Sequence, residues 1–157
     1  MRYCKRPRIR ISITHQYGPE DRVGSSFSFV MTYRYTQNKN FLNQAVRVID
    51  FIKKQPSCPK DDIPFWDMRD PRIPNAPREA SASAITASAY FELYEYAENE
   101  EYLSFANDIM TTLLSEKYVL NPQLAALFIL DHSTGDWSKQ MEFDVPIGYA
   151  DYYFLEA

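Results

Sequence analysis

Two stretches of this chain match one another at a constant offset of 61 positions. Tyr33, Tyr35 and Asn38 fall on Tyr94, Tyr96 and Asn99. Phe41, Leu42, Ala45, Ile49 and Ile52 then fall on Tyr102, Leu103, Ala106, Met110 and Leu113. Self-similarity at one long period marks a repeated supersecondary unit, a tighter constraint on the fold than any composition. The unit is helical. Phe41, Ala45, Val48, Ile49 and Ile52 follow i, i+4, i+7, i+8, i+11, one face of a helix. Tyr102, Ala106, Ile109, Met110 and Leu113 repeat that template. Each follows another helical stretch, about 25–36 and about 81–97, across short polar links that suit antiparallel neighbours. The expected hairpins span about 25–54 and 81–114, with Tyr33, Phe41, Tyr94 and Tyr102 as core or interhelix contacts. Ala82, Ala84, Ala87 and Ala89 make the second inner stretch slim enough for close packing. A further first helix opens near Pro146 and occupies about 146–157.

Between the hairpins, residues 55–80 hold six of the ten prolines. Proline blocks helix interiors, so an ordered loop or short extended pieces are expected there. Loops of this length inside compact domains are usually functional. A second loop, about 130–143, precedes the last helix. Six units of this period would close a ring of roughly 370 residues, whereas this chain holds about two and a half. The last helix, rich in Tyr and Phe, lacks the polar face that covers the end of an open stack. The expectation is part of a larger toroid.

Composition narrows the function classes. The four glycines form no phosphate-cradling pattern, and Cys4 and Cys58 match no zinc spacing. No G-x-S-x-G elbow occurs, and no apolar run approaches the length of a membrane span. Residues 1–10 carry five basic groups and no acid, yet the whole chain has a net charge of −4. The body is therefore acidic, which argues against nucleic acid as a partner. Residues 1–13 read as an irregular basic head, and 14–157 as the folded part. No export signal is visible, and cytoplasm and periplasm both stay open.

Five segments, in order, resemble the unsaturated glucuronyl hydrolases of glycoside hydrolase family 88. Thr14-His15-Gln16 with Gly18 is similar to that family's Thr-His-Gln-Gly loop, and Met31 to Thr36 to its Tyr-Arg-Tyr-Thr helix end. Ile63-Pro64-Phe65-Trp66-Asp67 resembles Val-Pro-Tyr-Trp-Asp, and Pro77 to Ile85 resembles Pro-Arg-Asp-Ser-Ser-Ala-Ala-Ala-Ile. Asp144-Val145-Pro146 followed by Tyr149 to Ala157 is the closest piece. The resemblance implies an all-α fold, the C-terminal portion of an (α/α)6 barrel built from six hairpins. It also implies removal of a terminal Δ4,5-unsaturated glucuronic acid from lyase-generated oligosaccharides, with no cofactor. An aspartic acid would protonate the enol-ether double bond, water would add at the other carbon, and the hemiketal would expel the remaining sugar. That differs from the usual pair of carboxylates flanking a glycosidic bond.

The family's catalytic aspartates precede the Thr-His-Gln loop, so no catalytic residue is assigned and the chain alone is expected to be inactive. Its expected contribution is to substrate binding. Gln16 and His15 match the entry loop. Arg22 matches, in an altered register without the family's tryptophan, an arginine that holds the substrate. Trp66 can stack on a sugar face or pin its own loop. Ser133 and Lys139 can meet sulfate or carboxylate groups, and Tyr149 or Tyr152 can approach the uronate. Asp67 reads as a loop or capping carboxylate, and Asp144, just before Pro146, as a helix N-cap. The expected partners are an unsaturated uronate-terminated oligosaccharide and either the missing N-terminal half of the barrel or further copies. Two alternatives stand beside this reading: a non-catalytic helical-hairpin module that binds protein or glycan, and a related unsaturated rhamnogalacturonyl hydrolase.

Overall fold

The computed structural model describes residues 19–53, 59–121, 123, 127–135 and 141–157, with the helical backbone alone for 19–23 and 52–53. Among the described residues five helices form: α1 (Pro19–Thr36), α2 (Lys39–Lys53), α3 (Ala80–Ala97), α4 (Glu100–Leu113) and α5 (Gly148–Glu156). Among the described residues the only β-structure is three isolated bridges. α1 starts six residues earlier than the sequence periodicity marks, because a polar first turn carries no periodic signal.

The repeat extends to single hydrogen bonds. α1 and α3 each stop at a residue in the left-handed region, Gln37 (φ 52°) and Glu98 (φ 51°). Their amides donate to Tyr33 O (2.8 Å) and Tyr94 O (2.9 Å), which satisfies carbonyls at the helix end. The chain restarts at an asparagine in both cases. Asn38 Oδ1 accepts from Asn40 N and Asn99 Oδ1 from Glu101 N, each at 3.0 Å. With only two residues between helices, each pair must double back on itself.

The inner helices run parallel. Arg34 near the end of α1 makes a bidentate pair with Glu92 near the end of α3, at 2.7 and 2.6 Å, and the Tyr33 and Tyr96 rings meet at 4.9 Å. Toward the other end Phe27 packs on Ala82, Ile85 and Ala89. α5 follows the same direction: Ala150 lies in one cluster with Ala80, and Ser88 Oγ donates to Glu156 Oε2 at 3.2 Å. α2 backs α1 and α4 backs α3, so three parallel inner helices face two outer ones. This is a sector of an α/α barrel.

α3 is the packing centre. Every residue from Ala80 to Tyr90 is buried, including Ser81, Ser83, Thr86 and Ser88. Alanines let its neighbours close in from both sides, so that Phe27 of α1 and Tyr153 of α5 touch across it at 5.0 Å. Behind it Tyr90 sits between Tyr102 (5.7 Å) and Phe105 (4.9 Å) of α4. Tyr102 is buried, while Tyr33, Phe41 and Tyr94 make interhelix contacts, as expected from the repeat.

Candidate functional site

Parallel inner helices carry a consequence for the loops: segments 59–79 and 114–147 both lead into inner-helix N-termini and meet there. The first amides of α3 are satisfied from far along the chain. Ala80 N donates to His132 O (2.9 Å) and Ser81 N to Ser133 Oγ (3.1 Å). The buried Glu79 carboxylate accepts from Ser81 Oγ (2.5 Å) and from Thr134 N (2.9 Å). A buried carboxylate is tolerated only when hydrogen-bonded in this way. Ser133 and Val145 exchange both backbone bonds at 3.0 and 2.9 Å, and Gly135 N donates to Glu142 O, so 133–135 and 142–145 pair as the arms of a hairpin over the start of α3. Asp151, in the first turn of α5, ties the approach to this hairpin by accepting from Ile129 N (3.0 Å) and Leu130 N (2.9 Å).

The proline loop is anchored as firmly. Trp66 Nε1 donates to Asp70 Oδ2 at 2.6 Å, and Arg72 clasps the same carboxylate at 2.5 to 3.1 Å. The Arg72 guanidinium, more than the Trp66 N–H, holds the Asp70 carboxyl well below the usual aspartate range. Phe143 of the hairpin meets the Trp66 ring at 6.4 Å and the Arg72 guanidinium at 5.8 Å, which joins the two loops. At its outer end Asp61 accepts from Arg78 (2.8 Å) and Lys117 (3.2 Å), while Arg78 also donates to Ile63 O and lies 4.5 Å over Phe65. Next to it, burial pushes the Asp62 carboxyl up.

The sequence-marked residues distribute unevenly over this rim. Trp66 is half-buried and pinned as described, and Asp67 closes an Asx turn with Arg69 N at 2.8 Å. Tyr149 and Tyr152 lie exposed on the first turns of α5, with Tyr152 at 59% and its ring 5.0 Å from that of Tyr153. Ser133 is fully buried with its hydroxyl committed to α3, which favours a structural task over the sugar-facing one expected. Asp144 does not cap α5. The N-cap is Ile147, three residues later, because Asp144 adopts φ 54° and turns its carboxylate to His132 Nδ1 at 2.8 Å. Arg22 falls within α1, and its side chain lies outside the described residues, as do His15, Gln16 and Lys139. Sequence reasoning missed Glu79, Asp151 and the His132–Asp144 pair. Only Asp151 left a signal, an acid in a helix first turn.

A rim of loops at the N-terminal ends of parallel inner helices, bearing exposed aromatic side chains, defines the class as a sector of an (α/α)6 barrel. No family model matches the chain. An unsaturated glucuronyl hydrolase of Formosa agariphila is 50% identical over 131 residues, which is 83% of this chain and 33% of that protein. The unsaturated glucuronyl hydrolase of Bacillus sp. (strain GL1) is 29% identical over 139 residues, covering 35% of its length. The crystal structure of an unsaturated glucuronyl hydrolase specific for heparin superposes with a TM-score of 0.85 at 36% identity, covering 91% of this chain and 40% of that one. In sequence and fold the chain belongs with the unsaturated glucuronyl hydrolases, as a part-length relative spanning about a third to two-fifths of those proteins.

Proposed function

We propose that this chain forms the substrate-binding sector of an unsaturated glucuronyl hydrolase. In the intact barrel it would help hold oligosaccharides ending in a Δ4,5-unsaturated uronate. The observation that carries the reading is the 50% identity to an unsaturated glucuronyl hydrolase over 131 residues, 83% of this chain. Tyr149 and Tyr152 offer aromatic faces with polar edges suited to a sugar ring, and Trp66 stands on the same rim. Gln16, His15 and Arg22 would complete the binding set, an amide and a guanidinium being matched to hydroxyl and carboxylate groups. In the reaction a carboxylic acid protonates C4 of the enol ether, water adds at C5, and the hemiketal opens to release the remaining sugar. That acid would come from hairpins other than the two described, supplied by the rest of the barrel.

The test uses a Δ4,5-unsaturated uronate disaccharide. The chain by itself should bind it without turnover, read by calorimetry and by persistence of the enol-ether ultraviolet absorbance. Joining the chain to the preceding hairpins of a relative should restore loss of that absorbance. Failure of both the chain and the completed barrel to bind the disaccharide would overturn the reading. Size-exclusion of the chain alone should show self-association, because Tyr152 and Leu155, at 59% and 71% exposure, extend an apolar face along α5.

A further inference from the structure

Resting on that reading, we propose that His132 is a further saccharide-binding residue, with its Nε2 accepting a hydroxyl hydrogen from the bound sugar. Its Nδ1 lies 2.8 Å from Asp144 Oδ1. A carboxylate only accepts, so Nδ1 carries the proton, and in the neutral form of the ring this fixes Nε2 as the acceptor. The residue's other contacts are the Tyr118 ring, edge-on at 5.8 Å, its own N–H donating to Asp131 Oδ1, and its carbonyl accepting from Ala80 N. Among the described residues nothing pairs with Nε2, and the side chain is 34% exposed.

The backbone supplies a second observation. His132 and Asp144 flank the Ser133–Val145 bridge, and both hold positive φ, 62° and 54°. Glycine would turn the chain at either position at lower conformational cost. Two side chains are instead kept in a strained conformation, aimed at each other, which is the pattern of a preorganised site. The location agrees. Phe143, next to Asp144, rests against Trp66, so the ring stands on the loop rim that carries the exposed aromatics. If the pair only fastened the hairpin, Nδ1 alone would be needed; a ligand engages Nε2.

That difference is measurable. The chain has two histidines, His15 and His132, so the ring nitrogens of a 15N-labelled sample are simple to assign. The His132 Nε2 resonance should be of acceptor type and should shift on titration with a Δ4,5-unsaturated uronate disaccharide. His132→Ala should weaken binding about five- to tenfold, the worth of one neutral hydrogen bond. Tyr152→Ala is the control for the reading itself. Binding weakened by Tyr152→Ala but not by His132→Ala, with Nε2 unmoved, would overturn the role of His132 alone. No binding by the wild-type chain would overturn both. If His132→Ala fails to fold, the Nε2 shift in the wild-type chain decides.

Discussion

α1 and α3 are the same helix by sequence period and different helices by environment. Both have 18 residues, both stop on a left-handed residue, and both restart at an asparagine. Among the described residues α3 nevertheless has an inner helix on each side, and its first eleven residues are buried, whereas α1 meets α3 and leaves Ser25, Ser28 and Tyr35 exposed. α3 uses alanine and serine where α1 and α5 approach it; α1 places Phe27, Phe29 and Val30 toward α3 and its outer partner α2. Local periodicity sets where a helix begins and ends, and how closely its neighbours approach sets how large its side chains can be.

The equivalent positions Leu93 and Thr32 give the sharpest break of that comparison. Leu93→Ala should cost about 2–5 kcal/mol, because Leu93 is fully buried. Thr32→Ala should stay within about 0.5 kcal/mol in the same urea-unfolding experiment. Equal losses would mean that both helices are buried alike. The asparagine restarts should behave as a matched pair, with Asn99→Ala and Asn38→Ala each losing about 1 kcal/mol in thermal melts. Replacing the left-handed stops, Glu98→Gly and Gln37→Gly, should raise stability by up to about 1 kcal/mol each, since glycine carries no Cβ penalty there.

The smallest effect separates two carboxylates of one loop. The Asp70 carboxyl is held low by Arg72, so its contribution is complete above the ordinary aspartate value of about 4 and is lost as pH falls below it. Asp62 has the opposite sign: burial raises its pKa, its charge is a cost at neutral pH, and protonation relieves that cost. Asp70→Asn should therefore flatten the acid limb of the melting-temperature profile. Asp62→Asn should leave that limb in place and be neutral to stabilising at pH 7. A steeper acid limb in Asp70→Asn would refute the assignment.

The helical hairpins and the aromatic contacts were legible because the apolar positions recur at helical spacing within each element. The 61-residue offset even carried the caps, since Gln37 and Glu98 stop their helices through the same bond. The rim was less legible. Asp144 looked like an N-cap from its place before Pro146, yet a partner twelve residues upstream claimed its carboxylate. Ser133 looked like a loop hydroxyl open to ligand, yet an amide 52 residues away uses it. Trp66 left two readings open; its bond to Asp70 and its contact with Phe143 support the anchoring one.

By itself the sequence determined the period, the helix ends and the apolar faces, because each depends on bonds and spacings within a few residues. Only the tertiary structure decided which polar groups cap α3, which carboxylates are buried, and which loop side chains stay open to a ligand. Those outcomes depend on partners brought together by the parallel packing of α1, α3 and α5. A hydrogen bond across fifty residues leaves no periodic trace in the chain that makes it.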